Sequence, residues 1–380
     1  MRFCERQKIG LVISELLGLF ALLLAASSGL AQEAKAPASQ TAPFDRSLFT
    51  RTDLIYGAEI GAWDMDGGTA VKNPTARSHI RAAGIRVIRW GIWAKFDSLN
   101  QGGSTPRQTL ADFNQAVDGI VSLGAIPLIK LPPIWPKQAA NAPDAWNIEW
   151  LQEIVKHGGQ RVPLYEFGNE PDWYQKWSAE TYAVHWLQVV PALKKYARSL
   201  GFEIFVGGPA LANSYPENVA YMRVFLQHTA AAYRKSGDRD MVPDFVSSHT
   251  YLTETENATP ATMQARIDAW GKFYANVRQE INAAYAGLED TAGQPLAPQI
   301  KLADSEFNYT INNKNTRADN QAYADYYVQA MYRMIRRQNL WLANIFTIAS
   351  HGGGALDLLN TDGSPKPLYH AYKAEARSSR

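Results

Sequence analysis

The sequence predicts a single (β/α)8 barrel, α/β in class. Three observations carry this reading. Eight short apolar runs alternate with longer amphipathic segments. No glycine-rich nucleotide loop follows any of the runs. Unusual polar residues gather at the C-terminal ends of the runs, where a barrel carries its site.

The runs predicted as strands are Ile55–Ala62, Arg86–Ile92, Ile126–Leu131, Val162–Gly168, Glu203–Gly208, Asp244–His249, Ile300–Glu306 and Ala343–Ala349. Between them, Thr109–Leu123, Ala179–Leu200, Val219–Lys235, Thr262–Tyr285 and Gln321–Arg337 repeat apolar residues at helical spacing. Gly124 and Gly201 stand just past two of these helices, where the chain needs a left-handed cap. The rival for such alternation is an open doubly wound sheet. The lack of a G-x-G-x-x-G or Walker loop weighs against it, and the spacing leaves no room for a second domain or an accessory β-sandwich.

The chain has 380 residues, 46% hydrophobic and 19% charged, enough for one large core. Its formal charge of +2 is too small and too evenly spread for nucleic acid or an acidic surface as partner. Arg2, Arg6 and Lys8 precede an apolar run from Ile9 to Leu30, and Gly29 and Ala31 form a small-residue cleavage site before Gln32. Glu15 shortens the clean apolar stretch below a bilayer span, so residues 1–31 read as a cleaved signal peptide rather than an anchor. Residues 32–46, rich in Ala, Gln, Pro and Ser, read as a flexible leader, and 47–380 as the barrel. The expected location is secreted or periplasmic, with no membrane attachment after cleavage. The one cysteine, Cys4, lies in the signal, so the mature chain has no disulfide and no cysteine metal site. The seven histidines follow no metal spacing, and neither a metal nor an organic cofactor is expected.

The polar residues at the strand ends define the chemistry. The fourth strand ends Tyr165-Glu166-Phe167-Gly168-Asn169-Glu170-Pro171-Asp172, and the seventh ends Ala303-Asp304-Ser305-Glu306-Phe307-Asn308-Tyr309. Strands four and seven face each other across a small barrel, so Glu170 and Glu306 are expected to oppose one another at its mouth. Glycosidic hydrolysis needs such a pair: an acid for the leaving oxygen and a carboxylate to attack the anomeric carbon or activate water. Arg89, His249, Tyr251 and Asn308 are candidates to keep Glu306 ionised. Asn169 is placed to bind a sugar hydroxyl beside the reacting carbon. Asp304 and Glu166 each lie two residues before their catalytic neighbour, on the same strand face, and read as deeper structural acids, Asp304 paired with an arginine. Trp93, Trp135, Trp173 and Trp177 are expected to line the mouth, where indole packs on the apolar faces of sugars. The loop Tyr174-Gln175-Lys176-Trp177 follows the acid and is assigned to the acceptor side.

These motifs resemble a known group. Asn169-Glu170-Pro171 ending strand four, with Glu306 ending strand seven, resembles the clan A retaining glycosidases. Val206-Gly207-Gly208-Pro209-Ala210, Asp244-Phe245-Val246-Ser247-Ser248-His249-Thr250-Tyr251 and Ser305-Glu306-Phe307-Asn308 are most similar to glycoside hydrolase family 39, with families 79 and 51 as weaker matches. Family 39 holds β-xylosidases, α-L-iduronidases and some bacterial exopolysaccharide hydrolases. The resemblance implies that Glu170 is the acid/base and Glu306 the nucleophile of a double displacement. It also marks a departure: Phe346 stands where many clan relatives carry a tryptophan. The expected function is a monomeric retaining glycoside hydrolase acting on an oligo- or polysaccharide, such as a bacterial exopolysaccharide. An exo-acting β-xylosidase-like enzyme is the alternative, and a non-catalytic polysaccharide-binding barrel the alternative from another class.

Overall fold

Eight parallel strands hydrogen-bond in sequence order, and the last closes on the first. They are β1 (Gly57–Glu59), β2 (Val87–Gly91), β3 (Ile126–Leu131), β4 (Leu164–Phe167), β5 (Phe205–Leu211), β6 (Phe245–Tyr251), β7 (Lys301–Asn308) and β8 (Leu342–Ile345). A principal helix follows each strand: α1 (Pro74–Ala83), α2 (Leu110–Ser122), α3 (Asp144–Gly158), α4 (Ala179–Ser199), α5 (Pro216–Ser236), α6 (Pro260–Ala284), α7 (Gln321–Arg337) and α8 (Pro367–Ser378); a short helix, Gly68–Lys72, precedes α1. The computed structural model describes residues 46–61, 68–91, 109–131, 144–349 and 354–378. The signal and leader readings lie outside these residues, apart from Arg46. Among the described residues no helix is long and apolar enough to cross a membrane.

Local chemistry sets the helix ends. Asn73 caps α1 by accepting from the amides of Thr75 and Ala76, and Thr109 and Asp112 form a capping box at α2. Gly124 and Gly201 hold φ of 80° and 87°, as the sequence predicts for left-handed caps. Strands β5 and β6 run further toward the mouth than expected, to Leu211 and Tyr251. Strand β8 stops earlier, at Ile345, because the chain then leaves the ladder and the amide of Ile348 donates to the Glu59 carbonyl.

Gly208 permits the extension of β5. Its φ is 153°, and a Cβ there would stand 2.3 Å from the Tyr182 hydroxyl and 2.8 Å from the Phe167 carbonyl oxygen. Tyr182 already donates its hydroxyl to that carbonyl at 2.7 Å, so neither atom is free to retreat. Gly208→Ala should therefore destabilise the fold by about 2–4 kcal/mol, read from urea unfolding. A loss below about 0.5 kcal/mol, the range of an ordinary surface change, would contradict this account.

The barrel interior is layered. At the bottom Val87, Ile126, Leu128, Leu164, Phe205, Phe245, Ala303 and Leu342 form an apolar plug sealed by Leu48, Phe49, Leu54 and Trp341. Side chains alternate along a strand, so the next inward positions up are Arg89 on β2, Lys130 on β3 and Glu166 on β4. Glu59 pairs in register with Arg89. Charged side chains thus sit on an apolar floor, the condition under which ion pairing is obligatory.

One irregularity decides which acid of β7 faces inward. Ser248 pairs with Asp304, but the next residue, His249, pairs with Glu306, so Ser305 is an inserted bulge residue. Strict alternation would put Asp304 and Glu306 on one face, as the sequence reading had it. The bulge separates them. Asp304 accepts from the Thr250 hydroxyl at 2.6 Å and has Tyr274 and Tyr327, on α6 and α7, as neighbours. It has no arginine partner among the described residues, contrary to expectation. Burial pushes its carboxyl well above the usual range despite the Thr250 hydrogen bond.

Candidate active site

The site grows upward from Arg89. Its guanidinium, fully buried, bridges carboxylates of three strands. Nη1 donates to Glu59 Oε2 at 2.5 Å and also to Glu306 Oε1; Nε donates to Glu166 Oε2 at 2.6 Å. Nη2 donates to Asn169 Oδ1 at 2.8 Å, which fixes the residue preceding Glu170. The planar fork suits this use, since one rigid group orients several acceptors. Lys130 adds a second cation, with Nζ 2.5 Å from Glu59 Oε1 and 4.0 Å from Glu306 Oε1.

Glu306 stands at the end of β7 with its carboxylate nearly buried. Tyr251 donates its hydroxyl to Oε2 at 2.6 Å, and His249 Nδ1 lies 3.6 Å from the same oxygen. Burial alone would push the Glu306 carboxyl up. The charges of His249, Arg89 and Lys130, with the Tyr251 hydrogen bond, outweigh it and hold the group well below the usual carboxylate range. Arg89, His249 and Tyr251 thus all stand beside Glu306. Removing the hydroxyl in Tyr251→Phe raises the Glu306 pKa. A reaction that needs this carboxylate ionised fails as pH falls through that pKa, so the acid limb of kcat/KM should move to higher pH, with kcat about tenfold lower. An unmoved limb would show that Glu306 does not set it.

Glu170 sits differently. It follows Gly168 and Asn169 past β4 in a left-handed conformation (φ 52°), and its amide donates to the Ala210 carbonyl at 2.8 Å. Pro171–Gln175 then form one turn of π-helix. The Glu170 carboxylate is half-buried, and Oε1 lies 2.8 Å from His249 Nδ1. Burial opposes a charged imidazole, but Glu306 and Glu170 outweigh it and raise the His249 pKa.

The nearest ligand atoms of Glu170, His249 and Glu306 all lie within 4.8 Å of one another. That spacing could accept a divalent ion, and it equally suits two carboxyls flanking one sugar carbon. It is much closer than the roughly 6.5–9.5 Å that an attacking water between the two acids requires.

Other expected residues fall elsewhere. Asn308 does not face Glu306. Its amide donates to the carbonyls of Phe346 and Leu356, at 2.8 Å for the latter, and its Oδ1 accepts from the Tyr309 amide at 2.6 Å, so it braces the loop after β8. Trp177 packs on the core and stacks on His185 at 4.4 Å rather than lining the mouth. Trp173 is 57% exposed, with Lys176 Nζ 4.0 Å over its ring. Trp93 and Trp135 lie outside the described residues. Phe346 does stand at the mouth, edge-on to Tyr251 with ring centres 6.1 Å apart.

Sequence reasoning missed Glu59 and Lys130. The signal was present: each is an ionisable residue inside an apolar strand, two residues above a position of the barrel floor. Tyr174 was assigned only with its loop, to the acceptor side. Burial, with the charges of Glu170 and Glu306 adding to it, pushes its phenol up to about 12, which puts it within electrostatic reach of both carboxylates.

Solved structures with the same barrel are glycosidases. The chain is similar to a family 39 β-xylosidase from Caulobacter crescentus at 19% identity and TM-score 0.53, over 88% of this chain and 72% of that one. It is similar to a glucosidase from Croceicoccus marinus at 18% identity and TM-score 0.59, over 86% of this chain and 68% of that one. A family 51 α-L-arabinofuranosidase from Bifidobacterium longum matches at 14% identity and TM-score 0.56, over 86% of this chain and 73% of that one. No family model and no curated protein matches the sequence. At these identities the likeness establishes the fold.

Proposed function

We propose that this protein is a retaining glycoside hydrolase that cleaves a polysaccharide, with Glu306 as nucleophile and Glu170 as acid/base. The observation that carries the reading is the pair itself: two carboxylates opposed within 4.8 Å at the barrel mouth, in unlike surroundings. Glu306 is buried among Arg89, Lys130 and Tyr251, which favours the anion. Glu170 lies nearer solvent against one imidazole that can pass it a proton.

In the first step a Glu306 oxygen attacks the anomeric carbon. The bond to the leaving oxygen breaks with its electron pair, and that oxygen takes the proton of Glu170. In the second step Glu170 removes a proton from water, which attacks the same carbon and releases Glu306 as carboxylate, retaining configuration. Asn169, its carbonyl oxygen tied to Arg89, presents its amide hydrogens to a sugar hydroxyl. Trp173 and Tyr174 extend an exposed aromatic surface beyond Glu170, suited to further sugar rings and hence to a polymer. The resemblance of the strand motifs to family 39 supports the same class.

The test is hydrolysis of a panel of aryl glycosides and polysaccharides, with the anomer of the first-formed product read by NMR. Retained configuration is expected. An inverted product would overturn the mechanism, and tight polysaccharide binding with no cleavage across the panel would favour the non-catalytic barrel. We further propose an exported monomer. Mature protein from its host should begin at or near Gln32 and sediment at the mass of one chain.

A further inference from the structure

We propose that Asp172 is a positioning residue for the acid/base: its carboxylate ties the turn that carries Glu170 to the end of β5 and the start of α5, and so sets how well Glu170 serves the leaving group. The inference rests on the retaining reading above and deepens it, with a role for the residue two positions past Glu170.

Glu170 needs holding. Its φ and ψ are both 52°, a left-handed conformation that an L side chain keeps only under restraint. Lys176, at the far end of the turn, is left-handed too, with φ 54°. Part of the restraint is internal. The Glu170 carbonyl accepts from the amides of Trp173 at 2.9 Å and Tyr174 at 2.8 Å. Those bonds fix the turn within itself and do not fix it to the barrel.

Upstream, the chain is fixed by Asn169, which accepts from Arg89, and by the Glu170 amide, which donates to the Ala210 carbonyl. Downstream, Asp172 supplies the tie. Its Oδ1 accepts from the Ala212 amide at 3.1 Å and its Oδ2 from the Asn218 side-chain amide at 3.1 Å. Ala210 lies in β5, Ala212 just past its end and Asn218 in the first turn of α5. This stretch is itself anchored to β6. The Ala210 amide donates to the Ser247 hydroxyl at 3.1 Å, and the Ser214 hydroxyl donates to the His249 carbonyl at 3.1 Å. His249 in turn meets Glu170 through its ring, so the contacts close a circuit from β4 through β5 and β6 back to the acid. Burial pushes the Asp172 carboxyl up. The Ala212 amide works against this and the charge of Glu170 adds to it, so the two carboxyls lie within electrostatic reach.

Glu306 touches this circuit through His249, 3.6 Å from its Oε2, and its carboxylate is set on β7 by Arg89 and Tyr251. Loss of the Asp172 carboxylate should therefore impair the acid and spare the nucleophile. A good leaving group needs little help from an acid, and a poor one needs it fully. The measurement is kcat/KM for aryl glycosides of the sugar that the hydrolysis panel selects, with leaving groups from 2,4-dinitrophenol to phenol. Asp172→Ala should stay within about threefold of wild type on the dinitrophenyl glycoside and fall by about thirtyfold or more on the phenyl glycoside. Asp172→Asn keeps an oxygen for the Ala212 amide, and Asn218 can turn its own amide to accept from the new one. It should recover most of the loss on the phenyl glycoside. A loss of equal size along the series would overturn the proposal. So would a loss confined to polymers, which would make the tie a support for Trp173 and Tyr174. Should Asp172→Ala not fold, Asn218→Ala removes one of the hydrogen bonds from the other side and should show the same dependence on leaving group, smaller in size.

Hydrogen exchange separates this proposal from the retaining mechanism, because it needs no substrate. The amides of Glu170, Trp173 and Tyr174 are all hydrogen-bonded, so a peptide spanning residues 168–177 should be protected in wild type. Asp172→Ala should speed its exchange by about tenfold or more, while peptides from β7 keep their protection. Unchanged exchange would overturn the proposal. If exchange rises and wild type cleaves nothing in the panel, the retaining reading has failed and Asp172 still holds Glu170. If exchange rises in an active enzyme whose leaving-group series falls evenly, the retaining reading stands and the positioning role has failed.

Discussion

Glu306→Ala should lose on the order of 10⁵-fold in kcat/KM on every substrate, because no other described carboxylate faces the anomeric carbon from that side. Glu170→Ala should behave differently. Its first step needs a proton only when the leaving group is poor, so an activated dinitrophenyl glycoside should still react to form the glycosyl-enzyme. The second step then lacks its base, and intermediate accumulates. Azide needs no base, and it fits the volume vacated by the side chain. Adding it should restore turnover of Glu170→Ala on the activated substrate and yield a glycosyl azide of retained configuration. The same anion should leave Glu306→Ala without a retained product. Activity of Glu306→Ala within about tenfold of wild type would remove it as nucleophile and reopen the choice of acid on β7.

The fold was legible because a barrel writes itself as a repeated pattern. Strands buried on both faces read as apolar runs, and the helices between them carry a single apolar stripe. Glu170 and Glu306 could be found because both stand where a strand of the inner ring gives way to loop. What escaped depended on geometry that sequence spacing does not encode. The bulge at Ser305 shifts the register of β7 by one residue, so counting by twos put Asp304 on the wrong face. Asn308 was also expected beside Glu306, but its hydrogen bonds tie it to Phe346 and Leu356. Trp177 belongs to the hydrophobic shell because the π-turn after Glu170 carries it back onto α4, where it meets His185. Glu59 and Lys130 could be seen in the sequence as charges within strands. Their partners could not, since three strands must be closed into register before Glu59, Arg89 and Lys130 meet.

Arg89→Ala should be the most damaging change to stability, by about 3–5 kcal/mol in urea unfolding at neutral pH. The wild-type guanidinium satisfies Glu59, Glu166 and Glu306 at once and also holds Asn169. Its removal leaves three buried carboxylates with Lys130 and His249 nearby. Those acids respond by taking up protons, so their folded-state pKa values rise above the unfolded ones. A group whose folded pKa is raised contributes stability at low pH and loses it as pH rises through that pKa. The deficit of Arg89→Ala relative to wild type should therefore be greatest at neutral and alkaline pH and shrink on acidification. Wild type behaves in the opposite sense at Glu306: its depressed pKa contributes stability above the unfolded value and loses it as pH falls. The two stability curves should converge toward acid pH. Arg89→Lys tests geometry against charge, since an ammonium restores the charge but cannot span carboxylates on β1, β4 and β7 together. It should recover only part of the stability and little activity. A pH-independent deficit would mean that Arg89 contributes through packing alone, and would remove the buried charge cluster as the basis of the site.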